Sequence, residues 1–196
     1  YSPNAEVVSK YAYQSMLGLI DGGVIPMAKH FPGRGSSSQD THFDCPTVAE
    51  SLDRMMNIHL APYKYLIDKG LPGIMLAHSI YPALDQSDEI STVSKPIITG
   101  LLREKLGFNG VVITDSFTMG GLVAKYDVTE ATIRSVEAGV DLVLLKDENA
   151  LRHEAYSGLL SAVRDGRIKE ERINTSVMRT ITMKENFGLL DGKKGI

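Results

Sequence analysis

Four short apolar runs, separated by longer amphipathic stretches, limit what this chain can fold into more than any other feature. The runs fall at about 24–28, 73–77, 110–114 and 141–145, and the third is nearly pure β-branched. Runs this short and this uniformly apolar read as strands buried on both faces, the pattern of a parallel sheet. Parallel strands need crossovers, and the intervening segments supply them. Val7, Val8, Tyr11, Met16 and Leu17 make an apolar stripe over 4–20, stopped by Gly22-Gly23. Residues 50–69 read as helical with an interruption at Pro62, and Ser94 can cap a helix over 95–106 that Gly107 ends. Asp127 and Glu130 stand at capping-box spacing before a helix ending at Gly139. Two more helices are predicted at about 148–165 and 170–186, separated by Gly166.

Four βα units in a row build either an open doubly wound sheet or part of a (β/α)8 barrel. A closed barrel takes roughly 250 residues, so 196 residues with four units predict a half-barrel of the TIM type, one partial domain over 1–196. An open flavodoxin-like sheet fits the length, but no glycine-rich phosphate loop follows the first strand. The net charge of -3 gives no electrostatic case for nucleic acid or an anionic membrane. A single cysteine, Cys45, excludes an intramolecular disulfide framework and leaves the compartment, cytoplasmic or exported, open. No apolar run approaches the roughly 20 residues of a membrane span. No signal peptide is visible, but Tyr1-Ser2-Pro3 does not read as a natural start, and residues upstream are expected.

Parallel strands put their C-terminal ends, and the chemistry, on one face. The four ends carry Lys29-His30, His78, Asp115 and Lys146. Some polar residue must end any strand, which accounts for Lys146. It accounts poorly for a histidine-rich loop and an aspartate closing a β-branched run. The loop from Lys29 to Pro46 contains Asp40-Thr41-His42. A turn could bring that carboxylate to the imidazole, fix its tautomer and free the other nitrogen for proton transfer. His30, Asp40, His42 and His78 could also supply nitrogen and oxygen ligands to a metal, but no motif places two of them rigidly on one helix. Ser36-Ser37-Ser38 lacks the G-x-S-x-G elbow of a nucleophilic serine, and Cys45 before Pro46 reads as a half-buried filler. His59 and His153 lie on predicted helices, as packing or solvent-facing residues.

Three segments together carry a family resemblance. Ala28-Lys29-His30-Phe31-Pro32-Gly33-Arg34-Gly35 through Asp40-Thr41-His42 resembles the K-H-F-P-G-[HR]-G…D-[ST]-H signature of glycoside hydrolase family 3 β-N-acetylhexosaminidases. Leu76-Ala77-His78-Ser79-Ile80-Tyr81-Pro82-Ala83-Leu84-Asp85 resembles that family's A-H-x-x-Y-P-x-x-D loop. Gly110-Val111-Val112-Ile113-Thr114-Asp115-Ser116-Phe117-Thr118-Met119 resembles its nucleophile strand. Their order and spacing agree over nearly the whole chain.

The resemblance implies a retaining glycosidase that removes terminal β-linked N-acetylglucosamine through a covalent intermediate, without metal or organic cofactor. Asp115 would be the nucleophile, His42 the acid/base and Asp40 the group orienting His42. Lys29 and His30 would hydrogen-bond sugar hydroxyls. Arg34, His78 and Met119 would complete the substrate-binding set, with Met119 packed beside the nucleophile and His78 a donor behind it or a structural loop histidine. Arg34 stands where many members carry a second histidine, which bears on substrate preference. The resemblance also implies an N-terminal half of the barrel beyond this chain, so the 196 residues alone are expected to self-associate and to be poorly active. A β-glucosidase, an N-acetylglucosaminide phosphorylase and a non-catalytic sugar-binding partner are the alternatives.

Overall fold

The computed structural model describes residues 2–35, 45–118, 122, 125–146 and 149–190. Helix α1 (Ala5–Asp21) leads into strand β1 (Met27–Phe31). Helix α2 (Leu52–Arg54) runs into a wide turn over Met55–His59 and then α3 (Ala61–Ile67), with Pro62 in its first turn, where a missing N–H costs nothing. Strand β2 (Gly73–Leu76) is followed by α4 (Pro96–Lys105) and β3 (Val111–Ser116). Helix α5 (Val128–Ala138), strand β4 (Leu142–Leu144), and helices α6 (Asn149–Arg164) and α7 (Glu170–Asn186) complete the chain.

The four strands are parallel and lie in the order β1-β2-β3-β4. This order separates the two folds that the sequence allows. A doubly wound sheet reverses its strand order at a switch point, whereas a barrel adds each strand beside the last. The monotonic order is that of half a (β/α)8 barrel. Ile74, Leu76, Val112, Ile97, Ile98 and Leu102 are buried between the sheet and its helices.

Two local features differ from expectation. β1 begins three residues later than the apolar run suggests. The Val24 amide donates to the Leu19 carbonyl at 2.8 Å and so finishes α1, while Pro26 has no N–H to give a ladder. Lys29 and His30 are therefore strand residues rather than the start of the loop. α4 is wound wide, closing with Leu106 N donating to the Leu101 carbonyl five residues back at 2.9 Å. The caps follow the sequence: Asp127 accepts from Glu130 N at 2.8 Å, Ser94 Oγ accepts from Ile97 N at 3.2 Å, and Gly139 ends α5 at φ 118°.

The N-terminal end of the sheet is locked around one carboxylate. Asp141, just before β4, has a fully buried side chain. Its Oδ2 accepts from Arg103 Nη2 at 2.6 Å and from Val112 N at 3.0 Å. Its Oδ1 accepts from Ser176 Oγ at 2.6 Å and Arg179 Nη1 at 3.2 Å, with Arg172 Nη2 at 3.5 Å. Arg103 also donates to the Phe108 and Gly110 carbonyls, and burial draws its pKa down to about 10 against the pull of Asp141. This network ties α4, β3, β4 and α7 together.

Candidate active site

At the opposite end, both ladders that flank the candidate residues slip. Lys29 pairs with Met75 but Phe31 with Leu76, leaving His30 without a partner across the ladder. On β3, Ile113 pairs with Leu142 and Ser116 with Leu144, so three steps on β3 match two on β4. Asp115 lies within that extra residue's span. Thr114 fills the irregularity by accepting Leu144 N on its hydroxyl at 3.0 Å. Bulges of this kind re-aim side chains and gather beside functional sites.

The two bulges bring His30 and Asp115 together across β2. His30 Nε2 lies 3.4 Å from Asp115 Oδ2, with side chains 25% and 20% exposed. Burial holds the His30 pKa below its ordinary value, opposed by Asp115 and reinforced by the charges of Lys29 and Arg34. A neutral imidazole thus faces the carboxylate. Oδ1 of Asp115 accepts the Ser116 amide at 2.8 Å. With one backbone donor and one long imidazole contact among the described residues, the carboxylate keeps most of its acceptor capacity open to them.

Lys29 is exposed on β1. Arg34 follows β1 in the loop, half-buried, with Nε buried and without a hydrogen-bond partner among the described residues. His78, just past β2, is 2% exposed. Its Nδ1 lies 2.7 Å from Thr92 Oγ1 and its Nε2 3.1 Å from the Ser116 carbonyl. Both ring nitrogens are therefore engaged by protein. Asp40, His42 and Met119 lie outside the described residues. The structure thus gathers Lys29, His30, Arg34, His78 and Asp115 at the C-terminal ends of β1, β2 and β3. Among the described residues, no group of three or more histidine, cysteine, aspartate and glutamate side chains could hold a metal ion. No helix there is long and apolar enough to cross a membrane.

Three supports hold the site's loops, with contacts that the sequence did not give: His59, read there only as a packing or solvent-facing residue, Asp85, quoted there only as part of the loop after β2, and Glu89. His59 packs under the loop, 3.1 Å from where a Cβ on Gly33 would stand, and its Nε2 lies 3.8 Å from Glu50 Oε1. Gly33 also has φ 116°, so both space and backbone require glycine there. Glu89, in the loop after β2, takes the Tyr126 hydroxyl and, at 2.9 Å, Arg134 Nη2, fastening that loop to α5 and the segment just before it. Asp85, in the same loop, is buried, yet hydrogen bonds from Ser87 and Ser94 outweigh that burial and keep its pKa low. Ser87 is a local partner, two positions from Asp85. The Ser94, Tyr126 and Arg134 partners sit 9 to 45 positions away, where no local pattern announces them.

Residues 1–183 match the Glycosyl hydrolase family 3 N terminal domain. A glycoside hydrolase family 3 β-N-acetylglucosaminidase from Paenibacillus sp. str. FPU-7 is 37% identical and superposes with a TM-score of 0.94, over 98% of this chain and 36% of that one. Beta-hexosaminidase A from Pseudoalteromonas piscicida is 32% identical over 94% of this chain and 34% of its own length. The Beta-hexosaminidase of Methylobacillus flagellatus is 35% identical over 79% of this chain and 44% of its own length. The chain therefore spans between a third and a half of the length of these curated relatives.

Proposed function

The chain belongs to glycosyl hydrolase family 3, and from that membership we propose that it carries the nucleophile and acid/base of a retaining β-N-acetylhexosaminidase. The observation that carries this reading is Asp115: a half-buried carboxylate, lightly paired among the described residues, at the mouth of a parallel sheet beside a histidine whose pKa burial holds low. The similarity to β-hexosaminidases and a β-N-acetylglucosaminidase supports terminal N-acetylglucosamine as the sugar removed.

In the first step, Asp115 attacks the anomeric carbon. The glycosidic bond breaks, and His42 gives its proton to the departing oxygen. In the second, His42 takes a proton from water as the water displaces Asp115. Asp40 orients His42 and stabilises its imidazolium. An imidazole titrates near ~6.5 without perturbation, so this acid needs less environmental tuning than the carboxylic acid of most glycosidases. Lys29, His30 and Arg34 hydrogen-bond the sugar. His30 is suited to this by its position: Nε2 can share its proton between the carboxylate and a hydroxyl bound beside it.

Residues 1–196 form the C-terminal half of the barrel in this reading. β1 and β4 end the sheet, each with one side facing no further strand among the described residues. Tyr11, Leu19 and Ile20 of α1 and Val177, Met178 and Ile181 of α7 are exposed. Free edges and apolar patches invite pairing, with the remaining half of the barrel in the intact protein or with other copies when the chain is alone.

The test is turnover by the intact protein of an aryl N-acetyl-β-glucosaminide, with net retention of anomeric configuration read by NMR. Inversion, or turnover confined to unsubstituted glucosides, contradicts the proposal.

A further inference from the structure

We infer that His78 is a positioning residue for the nucleophile strand: through its Nε2–H it holds the Ser116 carbonyl, and with it the Asp115 backbone, where the sheet opens. The inference rests on the proposed role of Asp115.

The need for such a residue follows from strand lengths. β2 ends at Leu76, and its last pairing with β3 joins Met75 to Ile113. β3 runs on to Ser116, so residues 114–116 pass beyond β2 with no ladder on that side. On the other side they are held irregularly, by Leu144 N on the Thr114 hydroxyl and by Phe117 N on the Leu144 carbonyl at 2.9 Å. Among the described residues, no strand amide is recorded on the Ser116 carbonyl. His78 supplies the donor, 3.1 Å away, taking the place of the next β2 amide.

The tautomer follows from the partners. A carbonyl only accepts, so Nε2 carries the proton. Burial keeps the ring neutral, depressing the His78 pKa against the pull of the Ser116 carbonyl and Asp115. Nδ1 therefore has a lone pair, and the Thr92 hydroxyl, 2.7 Å away, must donate to it. The Thr92 hydroxyl also stands 2.9 Å from the Ala77 carbonyl, so its single proton has two acceptors within reach; the Ser91 hydroxyl, 2.6 Å from the same carbonyl, satisfies that acceptor when Thr92 turns to Nδ1. The ring packs beside Phe117, centroids 5.9 Å apart. At 2% exposure His78 does not reach solvent. It acts through Asp115: the Ser116 amide that binds Asp115 Oδ1 and the Ser116 carbonyl that binds His78 flank one residue.

Gln can place a donor near the histidine Nε2 position, whereas Asn reaches only as far as Nδ1. In the intact protein, His78→Asn should lower kcat on an aryl N-acetyl-β-glucosaminide by roughly 10- to 100-fold, the scale of a small misplacement, with KM within about two-fold. His78→Gln should recover most of the loss. Thr92→Val, which frees the tautomer without removing the ring, should fall between them. Imidazole nitrogen NMR of the wild type should show a neutral ring protonated at Nε2, and Thr92→Val should admit the Nδ1–H form. A ring protonated at Nδ1, a raised KM at unchanged kcat, or equal losses for Gln and Asn at equal melting temperature each overturns the inference. If the wild type does not turn over, the glycosidase reading falls, and the NMR tautomer alone decides whether His78 is the donor.

Discussion

Two aspartates at opposite ends of the same strands show what the protein does with a carboxylate. Asp141, at the N-terminal end, is fully buried and takes hydrogen bonds from Arg103, Arg179, Ser176 and the Val112 amide, with Arg172 adding its charge. Asp115, at the C-terminal end, has among the described residues its own neighbour's amide and one imidazole at 3.4 Å. The first is saturated and can do nothing more. The second keeps lone pairs and access. In barrels of this kind the N-terminal face carries stability and the C-terminal face chemistry, and the partner counts here follow that division. A buried ion network is costly to break because it leaves charges unpaired. A lightly held carboxylate is cheap to remove and expensive to lose only where it reacts.

The sharpest way to break this contrast is to truncate both residues in the intact protein. Asp115→Ala should lower kcat/KM on an aryl N-acetyl-β-glucosaminide by about 10⁴-fold or more, the scale seen when a nucleophile is removed. Its unfolding free energy should move by less than about 1 kcal/mol. Asp141→Ala should do the reverse, destabilising by about 3–5 kcal/mol because Arg103 is left buried without its counter-charge. Denaturant unfolding and steady-state kinetics on both variants check the pair. A destabilised Asp115→Ala that keeps its activity would erase the division.

Within the open end, His42→Ala sharpens the assignment of roles. It should cost about 10²- to 10⁴-fold on alkyl N-acetyl-β-glucosaminides and markedly less on aryl substrates whose leaving group needs little protonation. Equal losses on both would remove His42 as the acid.

The smallest effect concerns pH. Burial depresses the folded-state pKa of both His30 and His78 below the ordinary 6.5. Between the folded and unfolded values the unfolded chain binds more protons, so stability rises with pH there and is lost on acidification. The melting temperature should fall as pH drops from about 7 to about 5, and His78→Gln should show a shallower fall. An identical slope in the variant would assign the acid loss to other groups.

Much of this was legible in the sequence, for reasons of range. Strands and helices announce themselves through local period and caps: the β-branched run of β3, Asp127 with Glu130, Gly139 after α5. The candidate loop and Asp115 could be placed at one face because parallel strands share a direction. The bulges could not be read, because a ladder slip depends on two strands and no residue in 29–31 or 113–116 marks it. β1 was misplaced because Val24 is apolar, yet its amide serves the end of α1 and its side chain is exposed. Nor could the Asp141 network be read, since its arginines stand 31 to 38 positions away. His78 marks the limit most clearly. Its type and place suggested a site residue, but only the fold shows both of its nitrogens engaged.

The central claim is that Asp115 forms the bond to sugar. Incubating the intact protein with a slow aryl N-acetyl-β-glucosaminide analogue, quenching, and mapping the modified peptide by mass spectrometry tests it directly. The account predicts one glycosyl group, esterified to Asp115 and absent from Asp115→Ala. A glycosyl group on a different carboxylate would contradict it.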